Sequence, residues 1–377
     1  MKRTNFLTLS ISGLLLLLGM EFFGCTPFDA KRVTHLLSWN VQNLFDGVEN
    51  GGEYPEFSPA SGNWNETLFH DRLEKISSII LESVPPFGPD ILVLYEIENK
   101  NCIEQLHKNY LFKCGYKNRF VTQNPTGVQL AVLTRCKVNS VISHRVCNSN
   151  PNNIVLLREI LELEIKCPST TITLFANHWK SKRGGEEESE LLRIQSATLL
   201  TNRIKTIKTE KEKQLKKMPI IICGDLNEPI DQFEKWDKKR LCAIMPYDEN
   251  KNHQGNIEKL LGFKEAQQQM ATRPQPLLFL KEPSQFETYD DHEQELFYSL
   301  WFSLQKFEGS YCYKNVWETI DHIFISKEFF SNRGVSLSSF EVIKNQKLLN
   351  SRGEPNRWIT YTRGGYSDHL PLLFGFE

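Results

Sequence analysis

Short apolar runs that meet a polar side chain at one end are the feature that most limits how this chain can fold. Runs of about four to eight apolar residues bounded by turn residues are typical of buried strands. The 377-residue sequence contains several of them, among them DILVLYEIEN, TITLFANHW, MPIIICGDLNEP, TIDHIFIS and GGYSDHLPLLFGF. They predict a core built from buried strands, with polar groups gathered at the strand ends.

The order of the elements limits the fold further. Helical spacing of apolar residues predicts helices over 67–84 and 190–217, whereas several strands follow one another with no helix between them. This order favours packed mixed sheets over a parallel barrel or a dinucleotide-binding fold. Residues 228–318 combine Pro-rich and Gln-rich pieces with many aromatic residues, and we interpret them as a large insertion inside one catalytic domain spanning 34–377.

Composition excludes few functions. Hydrophobic residues make up 40% and charged residues 24% of the chain, which is typical of a soluble globular protein. The formal net charge of −1 shows neither the basic excess of many nucleic-acid-binding domains nor the acidic excess of disordered segments. A local basic patch could still bind a polyanion.

The N-terminus has the features of an export signal. Lys2 and Arg3 precede an apolar stretch that is short and interrupted by Glu21, which predicts a signal peptide over 1–24 rather than a membrane-spanning helix. Gly24 before Cys25 resembles a bacterial lipobox, so Cys25 would carry a lipid anchor, with 25–33 as a tether. An ordinary signal peptide cut elsewhere is the alternative. We therefore expect an exported, membrane-anchored lipoprotein in the periplasm or on the cell surface.

Export makes disulfide bonds feasible. Eight cysteines remain after Cys25, and their pairing cannot be deduced from sequence. Cys223 lies within an apolar run and is predicted to be a buried thiol. No CxxC pair or Cys/His spacing indicates a zinc site.

Polar residues recur at the predicted strand ends, which would bring them into one cleft. Oxygen ligands from Glu, Asp and Asn suit a hard cation such as Mg²⁺ or Mn²⁺, and a carboxylate–histidine pair can act as a general base. Together these groups predict metal-assisted hydrolysis of a phosphoester. The residues are Asn40, Glu96, His178, Asp225 with Asn227, Asp321, and Asp368 with His369.

At this point the chain resembles a known family. The segments SWNVQNLF, ILVLYEIEN, FANHWKSK, GDLNEP, IDHIFIS and SDHLPL are similar, in the same order, to motifs of the endonuclease/exonuclease/phosphatase superfamily. That superfamily includes deoxyribonuclease I-like nucleases, abasic-site endonucleases, neutral sphingomyelinases and inositol polyphosphate phosphatases. The resemblance spans 34–377 and implies an α/β fold, a four-layer α/β sandwich in which two packed mixed β-sheets are flanked by helices.

The resemblance also implies a metal side of the site. Asn40 and Glu96 would lie at the ion, Mg²⁺ or Mn²⁺, with Glu96 as the principal ligand and Asp368 in support. The chain departs from the family pattern at Tyr95, where Gln is common, and at Gln42, where some relatives carry an acidic residue. Because Gln42 would weaken a second metal position, we expect one ion.

On the catalytic side, the resemblance implies five roles. Asp225 would align or deprotonate the attacking water, and Asn227 would hold a phosphate oxygen. His178 would stabilise the pentacovalent transition state. Asp321 would orient His369, which would act as a general base or as a phosphate-stabilising imidazole.

Further residues are weaker candidates for substrate contact. Lys180, Lys182 and Arg183 directly follow the FANH motif, and they could contact phosphates or form a solvated basic loop. Arg193, at the start of the following helix, is predicted to support the site or bind substrate. His322 should face away from Asp321 on the same strand, as a packed or surface histidine.

These expectations lead to a divalent-metal-dependent phosphodiester hydrolase. Because NHWKSKRGG is most similar to the NHLKSK type found in bacterial extracellular nucleases, we place a DNA or RNA nuclease first. A sphingomyelinase-like phospholipid phosphodiesterase, or another phosphoesterase, is the alternative. A catalytically silent adhesin or binding module is the second alternative, although every expected polar position is filled.

Overall fold

The computed structural model describes residues 32–123, 127–147, 156–212, 218–247, 257–260, 262–270, 272–288, 295–331 and 334–377. Arg32–Glu377 forms one compact unit. The predicted signal peptide, the lipidated Cys25 and most of the predicted tether lie outside the described residues.

The described residues contain sixteen strands and six α-helices. The strands are β1 Thr34–Leu44, β2 Ile91–Ile97, β3 Asn118–Val121, β4 Gln129–Thr134, β5 Lys137–His144, β6 Ile160–Lys166, β7 Thr171–His178, β8 Ile220–Asp225, β9 Ile244–Pro246, β10 Leu277–Leu280, β11 Leu296–Ser299, β12 Tyr311–Tyr313, β13 Val316–Glu318, β14 Asp321–Ile325, β15 Leu337–Val342 and β16 Leu372–Phe376. The helices are α1 Glu66–Ser83, α2 Lys100–Leu106, α3 Glu186–Glu212, α4 Gln232–Lys235, α5 Phe263–Gln269 and α6 Gln285–Thr288.

Most strands form two large mixed sheets. Sheet one has the order β15-β16-β1-β2-β4-β3, and sheet two has the order β5-β6-β7-β8-β14-β11-β10-β9. β12 and β13 form a separate hairpin. Residues 228–318 include β9, β10 and β11, which extend one edge of sheet two. Parallel pairs such as β1–β2 and β7–β8 alternate with antiparallel pairs such as β8–β14.

Alternation along the strands produces four layers. In β2, Val93 packs between the two sheets, whereas Leu92 and Leu94 face α1 on the outside. In β8, Ile221 faces the other sheet, whereas Ile222 faces α3. Apolar residues buried on both faces explain why these runs contain no polar alternation. The predicted four-layer α/β sandwich is confirmed.

The two long helices begin close to their predicted positions. α1 begins after Asn65, whose side chain accepts a hydrogen bond from the backbone N–H of Leu68 at 3.0 Å, as expected of a helix cap. α3 begins a few residues earlier than predicted, with Glu186, Glu187 and Glu188 in its first turn. Acidic residues there interact favourably with the helix dipole. Among the helices of the described residues, none has the length and apolar character needed to cross a membrane.

Candidate active site

Strand register brings three of the predicted site residues into one row of sheet two. His178 at the end of β7 is opposite Asp225 at the end of β8, and Asp225 is opposite Asp321 at the start of β14. Residues paired across neighbouring strands point to the same face of a sheet. The three side chains therefore project together at the edge of the layer between the two sheets, and each is at most 3% exposed.

His369 reaches this row from the segment before β16. Its Nδ1 lies 2.8 Å from Oδ2 of Asp321, and its Nε2 lies 4.0 Å from Oδ2 of Asp225. Oδ2 of Asp321 also accepts a hydrogen bond from the Ser310 hydroxyl. The ring of Tyr311 packs on the His369 imidazole with 4.7 Å between centroids. Asp321 therefore fixes the ring so that Nε2 faces the interior of the site.

Sheet one supplies the metal side. Asn40, which lies within β1 where its register with β2 shifts, donates from Nδ2 to Oε1 of Glu96 at 3.1 Å and to Oδ2 of Asp225 at 2.9 Å. Oδ1 of Asn40 accepts the backbone N–H of Gln42 instead. In this arrangement Asn40 holds two carboxylates together and presents its amide nitrogen to them. The sequence analysis expected an oxygen ligand at this position.

Uncommon backbone conformations orient several of these side chains. Gln42, Asn43, Glu96 and Asn227 all have positive φ values, between 51° and 63°. Such values are uncommon outside glycine and concentrate at functional sites. In β2 the register shifts between Tyr95 and Ile97, so Glu96 leaves the strand alternation and turns toward the cluster, where it is partly exposed.

Buried groups behind the site hold its loops in place. Arg72 is fully buried and donates to the backbone carbonyls of Val41, Gln42 and Tyr366. These carbonyls belong to the two segments that carry Asn40 and Asp368. Burial lowers the pKa of Arg72 to about 9. The Gln42 side chain bonds to the Trp358 backbone at 2.8 and 3.2 Å, so it supports the loop away from the metal side.

Asn227 completes the contacts of Asp225. The backbone N–H of Asn227 donates to Oδ1 of Asp225 at 3.0 Å, and its Nδ2 donates to the carbonyl of Trp179 at 3.2 Å. Asp368 is partly accessible, with a side chain 30% exposed and Oδ1 4.0 Å from Nε2 of His369. The structure thus brings together all eight strand-end residues named from the sequence.

The structure places the residues predicted to contact substrate in different environments. Lys180 donates to the backbone carbonyls of Ser181 and Arg183 and lies beside the site. Lys182 instead bonds to Glu186 at 2.8 Å and to Glu318 at 3.2 Å. Its charge is therefore partly neutralised within the chain.

Arg193 lies behind the site, not in it. Its guanidinium is fully buried and bonds to Glu190 and Glu228, and it also donates to the carbonyl of Lys180 at 3.2 Å. A side chain with no exposed surface cannot meet a substrate from solution. We therefore correct its substrate-binding assignment: Arg193 positions the loop that carries Lys180.

Arg158 is a site residue that the sequence analysis missed. It precedes β6, and because β6 pairs antiparallel with β7, it meets the backbone of Trp179 just after His178. Burial lowers its pKa, while the charges of Glu96 and Asp225 raise it. The register of β6 with β7 could have indicated this residue, because a residue just before one strand lies beside the end of its antiparallel neighbour.

The three central ionisable groups have strongly perturbed environments. Burial, and then the charges of Arg158 and His369, lower the pKa of His178 well below its ordinary value. Burial raises the pKa of Asp225 to about 7, although His369 opposes the shift. Burial would lower the pKa of His369, but Asp321 and then Asp225 raise it well above its ordinary value. These shifts favour the neutral form of the His178 imidazole and the charged form of the His369 imidazole.

The donor set fits a hard divalent cation. Glu96, His178 and Asp225 place potential ligand atoms within 4.8 Å of one another. Burial, with the nearby Glu96 charge, also raises the pKa of Asp368, so these carboxylates repel one another in a partly dry site. His178 Nδ1 is buried without a hydrogen-bond partner among the described residues. A cation between carboxylates would relieve this repulsion.

This geometry defines the class of protein. Carboxylates beside a carboxylate-oriented imidazole, with a second imidazole and an arginine facing them, form a site for metal-assisted phosphoester hydrolysis. The model of the Endonuclease/Exonuclease/phosphatase family matches residues 35–273, well over half of the chain. The chain therefore belongs to this family, whose members are in general metal-dependent phosphoester hydrolases.

Solved structures from several organisms are similar to this chain. TDP2 from D. rerio, complexed with a single strand DNA product, is 14% identical over 92% of this chain and 99% of that chain, with a TM-score of 0.48. A Bacteroides thetaiotaomicron endonuclease/exonuclease/phosphatase family protein is 13% identical over 92% and 97%, with a TM-score of 0.47. The human Nocturnin catalytic domain is 14% identical over 92% and 94%, with a TM-score of 0.46. Among curated protein sequences, none matches significantly.

Proposed function

We propose that this chain is a divalent-metal-dependent phosphodiesterase that cleaves nucleic acid. The observation that carries the nucleic-acid assignment is a group of three cationic side chains: Arg158, whose charge acts on His178, with Lys180 and Arg183 close enough to interact with it. Burial and then the charges of the neighbouring arginines lower the pKa of Lys180. Cations that repel one another in this way gain most from a ligand that carries several phosphates.

The residues around the phosphate would have separate roles in binding it and in moving protons. The His369 imidazolium, fixed through Nδ1 by Asp321 at 2.8 Å, would donate from Nε2 to a phosphate oxygen. Neutral His178 would donate a second hydrogen bond without adding charge. Asp225 is held in place by hydrogen bonds from Asn40 and the Asn227 backbone, and its carboxylate would accept a proton from the attacking water.

A divalent ion, Mg²⁺ or Mn²⁺, would be held chiefly by Glu96, with Asp368 beside it. When bound, it would neutralise charge that develops on the phosphate oxygens. Asn40 would keep Glu96 and Asp225 at a fixed separation through its two hydrogen bonds. Arg158, whose charge acts on His178 and Asp225, would help to neutralise the phosphate.

We also propose that the protein is exported and anchored to a membrane through a lipid on Cys25. The support is the N-terminal basic pair, the short apolar stretch and the Gly24–Cys25 pair. Radiolabelled palmitate should enter the wild-type protein expressed in a bacterium that processes lipoproteins, and it should not enter Cys25→Ser. Equal labelling of both proteins would disprove the anchor.

The central experiment is plasmid cleavage. Purified protein should nick supercoiled DNA in Mg²⁺ and lose this activity in chelator, in Asp225→Asn and in His369→Gln. Asp231→Asn is a matched control, because Asp231 is an exposed aspartate paired with Lys235 at 3.1 Å. Intact plasmid with every protein, under conditions in which the wild type is folded, would reject the nuclease proposal.

Salt dependence tests the cationic group directly. If Lys180 and Arg183 contact phosphates, the double variant Lys180→Gln/Arg183→Gln should reduce the slope of log affinity against log salt by roughly one to two units. Lys235→Gln, which removes an exposed lysine on α4, should leave the slope unchanged. An unchanged slope in the double variant would contradict a polyanionic substrate.

A phospholipid phosphodiesterase is the second candidate. The β12–β13 hairpin exposes Tyr313 and Val316, which are 57% and 58% exposed, and it begins at Tyr311 on the His369 ring. Apolar side chains beside the site would suit a membrane surface. Release of choline phosphate from sphingomyelin vesicles, lost in Tyr313→Ser/Val316→Ser while plasmid remains intact, would favour this candidate.

A further inference from the structure

Two cysteines face each other at the end of sheet two that lies away from the site. Lys137 and Lys166 are the terminal pair of the antiparallel β5–β6 ladder. Cys136 directly precedes Lys137, and Cys167 directly follows Lys166. The next pair in this register is therefore Cys136 with Cys167.

The spacing of such a pair suits a covalent bond. Directly opposed residues of antiparallel strands have Cα atoms about 4.5–5.5 Å apart, which lies within the range of about 4.4–6.8 Å found across disulfides. Cys136 and Cys167 also belong to the same buried cluster between the sheets and are 7% and 3% exposed. Their thiols therefore meet in a place that excludes solvent.

The electrostatics of the pair agree with direct contact between the thiols. Hydrogen bonding from Cys167 lowers the pKa of the Cys136 thiol, and the reciprocal interaction raises the pKa of Cys167. Two other buried cysteines have different partners. Cys102 lies 3.4 Å from the Leu44 carbonyl, and Cys223 lies 3.5 Å from the Tyr95 hydroxyl.

We propose that Cys136 and Cys167 form a cross-strand disulfide. Cys136 lies in the short link between β4 of sheet one and β5 of sheet two, and Cys167 lies in the turn between β6 and β7. Among the described strands, β5 is an edge strand that pairs only with β6. The bond would fasten this edge and the crossover between the sheets. The inference uses no residue of the proposed active site.

The oxidation requires a small disulfide such as oxidised glutathione, or a disulfide oxidoreductase. The Cys136 thiolate attacks one sulfur of the oxidant, which forms a mixed disulfide and releases one thiolate. The Cys167 thiolate then attacks the Cys136 sulfur, which forms the protein disulfide and releases the second thiolate. The two cysteines lose two protons and two electrons, and the oxidant gains the two electrons. Because both thiols are buried after folding, the bond forms while the strands assemble.

Mass spectrometry tests the bond. The full chain is refolded from urea with oxidised and reduced glutathione, alkylated in denaturant and digested with trypsin without reduction. Cleavage after Arg135, Lys137, Lys166 and Lys180 should yield residues 136–137 joined to residues 167–180, a species that disappears on reduction. Alkylation of both cysteines, or a bond from either one to a different cysteine, would overturn the proposal.

Thermal unfolding provides a second measurement. Protein refolded with glutathione should unfold about 5 °C above protein refolded with dithiothreitol, because the bond restricts the unfolded chain. Cys136→Ser/Cys167→Ser should lose this difference. Cys114→Ser, which removes another buried thiol, should keep it. Equal unfolding temperatures for wild type with and without the oxidant would contradict a stabilising disulfide.

Discussion

Two buried clusters of charge lie on either side of one short loop. Asp225 faces the catalytic cluster with Asp321, His369 and Glu96, whereas Glu228, three residues later, faces Glu190 and Arg193. The loop thus contributes one carboxylate to each cluster.

The clusters differ in how their charge is balanced. In the second cluster, each carboxylate oxygen of Glu190 and Glu228 accepts a bond from Arg193 or from the backbone of Ala243 or Ile244. Arg193 and Glu228 are fully buried. All four carboxylate oxygens are thus bound within the chain. Burial and then the Glu190 charge raise the pKa of Glu228 well above its ordinary value, which favours a neutral Glu228 beside the Arg193–Glu190 ion pair and makes this cluster a structural tie between α3, the loop and β9.

The catalytic cluster is held mainly by neutral donors. Asn40 and the backbone of Asn43 and Asn227 satisfy its oxygens but do not cancel their charge. His369 is the cation that contacts them directly. A buried ionisable cluster is therefore a candidate site when its charge remains uncompensated and part of it is reachable, as it is at Glu96 and Asp368.

The largest expected effect follows from removing one member of the catalytic cluster. Asp225→Asn should lower phosphodiesterase activity by about 10²–10⁴-fold, the usual contribution of a general acid or base. Its free energy of unfolding at pH 8 should stay equal or rise, because burial disfavours the Asp225 charge. Kinetic assays and urea unfolding measure the two quantities. A large loss of stability would place Asp225 with the structural cluster.

The structural cluster should respond in the opposite way. Arg193→Met should cost about 3–5 kcal/mol of unfolding free energy, since it leaves buried carboxylates without their cation. Activity per folded molecule should fall by less than about tenfold, because Arg193 acts through the Lys180 loop. Lys235→Met, at an exposed ion pair, should cost about 1 kcal/mol or less. Full stability with lost activity would restore the substrate-binding assignment.

The contrast between the clusters also shows what sequence can predict. Strand ends were recognisable because apolar runs end where the core ends, so Asp225, Asp321 and His369 could be grouped before any geometry was known. Alternation likewise predicted that His322 faces away from Asp321, and it is buried against the Glu228 carbonyl at 2.8 Å.

Other features depend on pairing that sequence does not display. Arg158 joins the site only through the register of β6 with β7, and Arg193 leaves the substrate side only because Glu190 and Glu228 enclose it. Glu162 lies in the alternating run REILELEIK, a pattern typical of a strand with one solvent-facing side, yet it is buried against Arg203 at 2.7 Å. Long-range partners decide these positions, and periodicity does not encode them.

The pH dependence of stability tests His322, which follows Asp321 of the catalytic cluster and is hydrogen-bonded to the carbonyl of Glu228 from the structural cluster. Burial lowers the pKa of His322 from 6.5 to about 4, so between these values the unfolded chain binds a proton that the folded chain does not. The stability due to neutral His322 is present above about pH 6.5 and is lost as the pH falls toward 4, by roughly 2–3 kcal/mol between pH 7 and pH 4.5. Measured by urea unfolding, the loss of unfolding free energy between pH 7 and pH 4.5 should be smaller in His322→Gln than in the wild type by this amount. An unchanged slope in His322→Gln would mean that another group titrates.

Metal binding should distinguish the two clusters by an effect of similar size. Mg²⁺ at about 100 times its Kd should raise the free energy of unfolding by about 2.7 kcal/mol, because only the folded chain assembles the site. Glu96→Gln should remove this gain, since it takes a charge from the uncompensated cluster. Glu190→Gln should lower the baseline stability yet keep the gain, since both Glu190 oxygens are already bound within the chain. Calorimetry with Mg²⁺ and with chelator measures the difference. If Glu190→Gln lost the gain and Glu96→Gln kept it, the ion would belong to the second cluster, and charge compensation would no longer distinguish a site from a structural tie.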